Sequence, residues 1–352
     1  MQAAPKVHLH LDLQDDFSMN QALGLYLLEA IPELDQEDPN YVLNLLSLVE
    51  AILESPAAIL KAQVNKVKSE LVAEMKADGV EYDDRMERLD EVTHPMPGKD
   101  YIYDTFNAFR VKHPWISSES IRPKSIAREM FAEYMSFEDY IKNYKLERSE
   151  AVLLRHLSEV YKALSQTVPP GCKTEEVLDA ETYLKDHLIS IDSSLIDEWE
   201  LMRNPDYIPA EKQKSSHPDR PFTHNKKNLT KLVREKIFTA VKYLAHDNIT
   251  ELLPLFTPAD SDGTTWNLPR LDPILDHYYT DHHNIRLDPE ARNAKHFSMT
   301  ETTDPNLLKI TQTITDDDLH NDWSLTAHLN LEESNKSEQP TLTLESIAPI
   351  GS

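Results

Sequence analysis

The chain has 352 residues, of which 40% are hydrophobic and 28% are charged, a composition typical of soluble globular proteins. Its formal net charge of −25 excludes nucleic-acid binding through the overall electrostatic field, so any such binding requires a local cluster of basic side chains. The length predicts two domains, because domains usually have about 100 to 200 residues.

The cysteine content and the hydropathy of the sequence indicate in which cellular compartment the protein is expected. Cys172 is the only cysteine, which excludes an internal disulfide bond and a thiolate metal site. No segment reaches the roughly 18 apolar residues of a membrane-spanning helix, and residues 1–20 lack the basic start and apolar core of a signal peptide. These features predict a cytoplasmic protein that does not enter a membrane.

The first segment with a clear pattern is residues 7–13, where apolar and polar side chains alternate as in a β-strand. No neighbouring segment offers a partner strand, so we expect it to pair with something upstream of this sequence. His8 and His10 share one side of this strand, and we expect them to face solvent rather than a metal ion.

Residues 18–200 have a helical pattern almost throughout, with capping signals at the helix starts. One of these signals is Ser136 followed by Asp139, which forms a capping box. Residues 57–77 form the longest predicted helix, and Gly79 is suited to a left-handed cap at its end. We expect this helix to be one half of a helical hairpin.

A basic cluster precedes the middle of this helical region. Arg122, Lys124 and Arg128 lie close together in sequence, with Trp115 nearby, and could contact a nucleic-acid strand. The alternative interpretation is that these are ordinary exposed basic residues at the start of a helix, with no role in nucleic-acid binding.

The helix predicted from about residue 146 to 168 has a basic stripe, because Arg148, Arg155 and Lys162 recur every seven residues. The stripe is about 21 Å long and could follow about three or four nucleotides of a single strand. An ordinary solvated helix face is the alternative, with three glutamates pairing the basic groups: Glu147, Glu150 and Glu159. The apolar face of the same helix consists of Leu153, Leu157, Val160 and Leu164.

The pattern changes after residue 200. Residues 201–221 are poor in apolar side chains and are predicted to be a linker between domains 1–200 and 222–352. Helices are predicted from 229 to about 283, and then alternating segments predict strands, notably around Trp323. The predicted fold is therefore a mainly α-helical bundle followed by a small α+β domain.

The second domain contains a group of potential metal ligands near the end of its last predicted helix: Asp276, His277, Asp281, His282 and His283. His277 and Asp281 are one helical turn apart, as in paired ligands on a helix face. The sequence offers no clearly matched third ligand, so we predict no metal site.

Motifs of known catalytic chemistry are absent from the sequence. The six glycines are too dispersed for a phosphate-binding loop, and there is no nucleophile elbow or zinc-protease motif. We therefore expect no catalytic residue and no cofactor in this chain, and whether it belongs to an enzyme stays open.

Several segments resemble the C-terminal region of bacterial DEAD/DEAH-box RNA helicases related to the superkiller and exosome-cofactor helicases. The resemblance covers most of residues 7–200 and is strongest in these segments: DFSMNQAL (16–23), LVEAIL (48–53), YDTF (103–106), RPKSIAR (122–128) and RSE (148–150). One departure is Ala151, where the bacterial relatives usually have glycine.

This resemblance implies a helical bundle that closes the RNA channel beside the helicase motor. It implies single-stranded RNA and motor domains in cis as partners, with ATP and magnesium bound only by those motor domains. Arg148, Arg155 and Lys162 are the expected RNA contacts, and residues 57–77 correspond to a reduced form of the family's inserted arch. The order of elements in 222–352 resembles the conical fold of nuclear transport factor two and SnoaL.

Two other functions stay open. The acidic surface and second domain could form an interaction module that docks a protein partner. Alternatively, the second domain could be a small-molecule enzyme of the SnoaL type that uses Asp and His side chains inside its cone.

Overall fold

The computed structural model describes residues 21–116, 119–192, 197, 199–201 and 221–351. The chain divides into two compact units, residues 1–210 (unit 1) and 211–352 (unit 2). The predicted strand at 7–13, with His8 and His10, lies outside the described residues, as does most of the predicted linker at 201–221.

All regular secondary structure in the described part of unit 1 is helical, as predicted. Its α-helices are α1 (Gln21–Ala30), α2 (Tyr41–Ile52), α3 (Ala57–Ala77), α4 (Tyr82–Asp90), α5 (Lys99–Lys112), α6 (Ala127–Ala132), α7 (Phe137–Tyr144), α8 (Glu150–Thr167) and α9 (Glu175–Asp192).

Helix α2 lies at the centre of this unit. Every residue of α2 except Asn44 is buried, because its sequence is apolar on almost all sides. It packs against α6, α8 and α9. The predicted apolar face of α8 is confirmed, since its four side chains are fully buried: Leu153, Leu157, Val160 and Leu164.

Helices α3 and α4 form the predicted hairpin, and the predicted bounds of α3 are confirmed. Gly79 has φ +69°, a left-handed conformation that favours glycine. The N–H of Val80 donates to the Met75 carbonyl at 2.9 Å, which closes the end of α3 in a Schellman motif. Gln63 anchors the hairpin base, because its amide donates to the Ser125 carbonyl at 2.6 Å.

Unit 2 combines helices with one antiparallel sheet, which confirms the predicted α+β domain. Its helices are α10 (Lys226–Ala245), α11 (Ile249–Leu252), α12 (Leu268–Asp281) and α13 (Leu331–Ser337). Its strands follow chain order across the sheet: β1 (Phe297–Glu301), β2 (Leu307–Ile314), β3 (Trp323–Asn330) and β4 (Thr341–Pro349).

The alternation in β3 shows where the core of this unit lies. Every second side chain of β3 is buried, beginning with Trp323. This period of two places one face of the strand against the interior and the other towards the surface. Among the helices of the described residues, none is both long enough and apolar enough to cross a bilayer.

Candidate nucleic-acid interface and histidine cluster

The predicted basic stripe is only partly on a helix. Helix α8 begins at Glu150, four residues later than predicted, so Arg148 lies in the preceding turn. The reason is that the N–H of Leu146 donates to the Ile141 carbonyl at 2.9 Å and closes the end of α7. Arg155 and Lys162 are therefore the two residues of the stripe that α8 itself presents.

The three basic residues differ in exposure and partners. Arg148 is exposed and Lys162 is half-buried, and neither has an acidic partner within the described part of the chain. The Arg155 side chain is 68% exposed and pairs with Glu159 at 3.0 Å and with Glu54 at 3.4 Å. The pairing of Arg155 with glutamates is what an ordinary solvated helix face predicts. Arg148 and Lys162 do not show this pairing.

The second basic cluster is divided between surface and interior. Arg122 is exposed, whereas Lys124 is fully buried. The Lys124 ammonium donates to the backbone carbonyls of Glu50 (2.6 Å) and Leu53 (2.8 Å) at the end of α2. A cation there stabilises the negative end of the helix dipole. The expectation that Lys124 contacts RNA is therefore corrected, because its ammonium is used inside the protein.

Glu50 occupies the centre of the same buried site and is fully buried. Its carboxylate accepts hydrogen bonds from three backbone N–H groups at the start of α6: Ile126, Ala127 and Arg128. The ring nitrogen Nε2 of His156 lies 3.0 Å from Glu50 Oε1. We call Glu50, Lys124 and His156 the buried charge node; it joins α2, α6 and α8.

Burial dominates the electrostatics of this node. Desolvation lowers the pKa of Lys124 to about 8, although the neighbouring Glu50 charge opposes the shift. Desolvation also lowers the pKa of Arg128. The Arg128 guanidinium donates to Ser47 Oγ at 2.8 Å, so it is directed towards α2 and is only partly available to a ligand.

A different arrangement of ionisable groups occurs in unit 2. His282 follows the end of α12, and Asp316 and His320 lie in the loop between β2 and β3. We call these three residues the histidine cluster. His282 Nδ1 lies 4.0 Å from Asp316 Oδ2, and His320 Nδ1 lies 3.4 Å from Asp316 Oδ1. His282 and Asp316 are buried, while the His320 side chain is 56% exposed.

Asp316 also organises the loop. Its carboxylate accepts hydrogen bonds from the backbone N–H groups of Asp318, His320 and Asn321. Burial alone raises the pKa of Asp316, but these hydrogen bonds stabilise the ionised form and the net pKa is lowered. Asp316 is therefore an ionised carboxylate in the interior of the unit.

The structure does not bring together the pair that the sequence suggested. His277 packs edge-on against Trp323, with ring centroids 5.2 Å apart, and Asp281 is exposed. Of the five residues weighed in the sequence, His282 alone joins the histidine cluster. Its partners come from a distant loop, and no local spacing in the sequence indicates that contact.

The comparisons with known proteins identify a family without an assigned activity. A family model described as "Domain of unknown function (DUF3516)" matches residues 1–347. The chain belongs to this family. No curated protein and no solved structure matches the chain. The helicase association and the resemblance of residues 222–352 to the conical fold therefore stay predictions.

Proposed function

We propose that this chain is the accessory region of an ATP-dependent RNA helicase, in which unit 1 binds and guides single-stranded RNA. ATP hydrolysis belongs to motor domains outside these 352 residues, in cis. The observation that carries the proposal is the row of cations formed by Arg148 in the turn before α8 and by Arg155 and Lys162 on α8, of which Arg148 and Lys162 have no acidic partner among the described residues.

The packing of α8 supports this role. Its opposite face is fully buried against the centre of the unit, beginning with Leu153, so the helix is fixed in place. A fixed row of cations can follow a phosphate backbone with little loss of side-chain and backbone freedom on binding. Arg122 is a further exposed cation from the second basic cluster, and we include it as a flanking contact.

Charge reversal of the stripe tests the proposal. We expect R148E/R155E/K162E to weaken binding of a 12-nucleotide single-stranded RNA at least tenfold in fluorescence anisotropy. Each lost phosphate contact should lower the slope of log affinity against log salt by about 0.7, so three contacts lower it by about 2. The full chain is used, and circular dichroism verifies that the variant is folded.

A matched control separates a local site from overall charge. Three exposed lysines of unit 2 offer the same change in net charge: Lys226, Lys309 and Lys336. K226E/K309E/K336E should leave RNA affinity within about twofold of the parent chain. Equal losses in both triple variants, or no loss in either, would contradict a local site on α8.

The arrangement of β3 bears on the alternative of a small-molecule enzyme in unit 2. The face that would line a cone is occupied by the chain's own side chains, which are all buried: Trp323, Leu325, Ala327 and Leu329. A filled face favours a packed core over an open ligand cavity. We therefore prefer the RNA-guiding proposal to the enzymatic one.

A further inference from the structure

The histidine cluster contains buried polar atoms without hydrogen-bond partners. Within the described residues, six buried side-chain nitrogen or oxygen atoms have none, and four of these belong to His282, Thr315 and Asn321. Thr315 and Asn321 flank the cluster residues in the β2–β3 loop. Because an unpaired buried polar atom costs free energy, such a concentration at one place indicates that a polar ligand belongs there.

His282 is the most informative of these residues. It is only 4% exposed, and both of its ring nitrogens lack a hydrogen bond of acceptable geometry. Nδ1 faces Asp316, and Nε2 lies 3.1 Å from Asp322 Oδ1. A histidine whose second nitrogen approaches a carboxylate has the arrangement that commonly orients metal-binding imidazoles.

The spacing of the ligand atoms fits a metal ion. One ligand atom from each of His282, Asp316 and His320 lies within 4.8 Å of the others. Bonds from zinc to nitrogen or oxygen are about 2.0–2.2 Å, so ligand atoms around the ion lie about 3.3–3.6 Å apart. His320 Nδ1 lies 3.4 Å from Asp316 Oδ1, and His282 Nδ1 lies 4.0 Å from the other carboxylate oxygen, Oδ2. All three ligand atoms lie within 4.8 Å of one another, so side-chain shifts of about 1 Å bring them to the zinc spacing.

We propose that the histidine cluster is a binding site for a divalent transition-metal ion of the zinc class. His282, Asp316 and His320 are its ligands, and Asp322 orients His282. Two imidazoles and one carboxylate suit zinc, whereas calcium and magnesium prefer oxygen ligands alone. The ion would tie the end of α12 to the β2–β3 loop, a role independent of RNA binding by unit 1.

The direct test is metal titration of the tag-free full chain after treatment with a chelator. We expect zinc chloride to bind at one site per chain in isothermal titration calorimetry, with no competition from a large excess of magnesium chloride. Zinc should also raise the melting temperature of the protein. Absence of saturable zinc binding would overturn the proposal.

Two single substitutions make the test specific. H320A removes a half-exposed ligand without opening the core, and H283A removes an exposed histidine next to the site. We expect H320A to weaken zinc binding more than tenfold and to abolish the rise in melting temperature, while H283A binds like the parent chain. Equal zinc affinity in H320A and H283A would contradict the assigned ligand set.

A third substitution tests the orienting carboxylate. Asp322 is 57% exposed, so D322N is expected to preserve the fold. Loss of an outer carboxylate usually costs about 10-fold to 100-fold in metal affinity. Zinc affinity in D322N should therefore fall by about that amount, and an unchanged affinity would remove Asp322 from the site.

Discussion

The buried charge node of unit 1 and the histidine cluster of unit 2 both place ionisable side chains in a protein interior, but they differ in how these are satisfied. In the node, Glu50 accepts three backbone N–H groups and Lys124 donates to two carbonyls. In the cluster, both ring nitrogens of His282 lack a hydrogen bond. Ionisable groups that are hydrogen-bonded within the protein indicate a structural role, whereas a buried histidine with two unpaired nitrogens indicates a missing ligand.

Two of the segments on which the predicted helicase resemblance rests meet at the buried charge node. Glu50 belongs to the segment LVEAIL, and Lys124 and Arg128 belong to RPKSIAR. The structure joins these two segments through hydrogen bonds inside unit 1. The residue types at Glu50, Lys124 and Arg128 are therefore explained by folding, and the proposed RNA contacts are exposed cations outside the node, such as Arg155 and Arg122.

The largest effect is expected from removing the central carboxylate of the node. E50A removes the carboxylate that pairs with His156 and caps α6, and it leaves the Lys124 ammonium without a neighbouring negative charge, so we expect it to lower the unfolding free energy by about 3–5 kcal/mol. Urea denaturation measures this loss. E54A is the control: Glu54 lies at the surface and pairs with Arg155, a contact worth about 0–1 kcal/mol. Similar losses of unfolding free energy in E50A and E54A would contradict the idea that the buried charge node stabilises the protein more than a surface ion pair does.

The second effect concerns pH. The pKa of Lys124 is about 8 in the folded protein and 10.5 as its ordinary value, so the unfolded chain holds more protons between these values. This group therefore makes stability rise with pH across that window, by a total on the order of 3 kcal/mol. Urea denaturation from pH 7.5 to 9.5 should show the rise in the parent chain and a smaller slope in K124M.

The upper limit of pH 9.5 in that experiment keeps the titration of two buried tyrosines out of the measured range. Burial raises the pKa of Tyr26 and of Tyr41 to about 12 from an ordinary value of 10. Their contribution to stability is complete below pH 10 and is lost as pH rises towards 12. Equal slopes in the parent chain and K124M below pH 9.5 would show that Lys124 is not the titrating group.

The smallest effect compares two buried hydroxyls, Ser47 beside the buried charge node and Thr315 beside the histidine cluster. Ser47 Oγ accepts a hydrogen bond from Arg128 and donates to the Leu43 carbonyl, so S47A should cost about 1–3 kcal/mol. Thr315 Oγ1 is buried without a partner, so T315V should be neutral or stabilising in chelator-treated protein. Urea denaturation of both variants checks this, and a loss in T315V equal to that in S47A would break the comparison.

Much of the fold could be predicted from local sequence signals. The bounds of α3 follow from Pro56 before it and Gly79 after it, and β3 follows from strict alternation after Trp323. Strand β1 was not predicted, because none of its five residues is buried and its alternation is limited to Phe297 and Met299, too short a run to indicate a strand. The start of α8 was misplaced because Leu146 caps the preceding helix, a hydrogen bond that the sequence does not show.

The candidate sites were harder to predict because they depend on contacts between distant segments. Lys124 was expected at the surface, as lysines usually are, but the end of α2 provides two carbonyls for it. His282 was noticed among its neighbours, yet Asp316 and His320 reach it only through the packing of the β2–β3 loop. Arg155 is exposed as expected, because its position follows from the buried face of α8, and Arg148 is exposed in the turn before that helix.

The most direct test of the central proposal is photo-crosslinking of a 4-thiouridine-containing single-stranded RNA to the full chain, followed by mapping of the crosslinked peptides by mass spectrometry. We expect crosslinks in peptides that include α8 and the turn with Arg148, and their loss in R148E/R155E/K162E. Crosslinks confined to unit 2, or none at all, would contradict RNA guidance by unit 1.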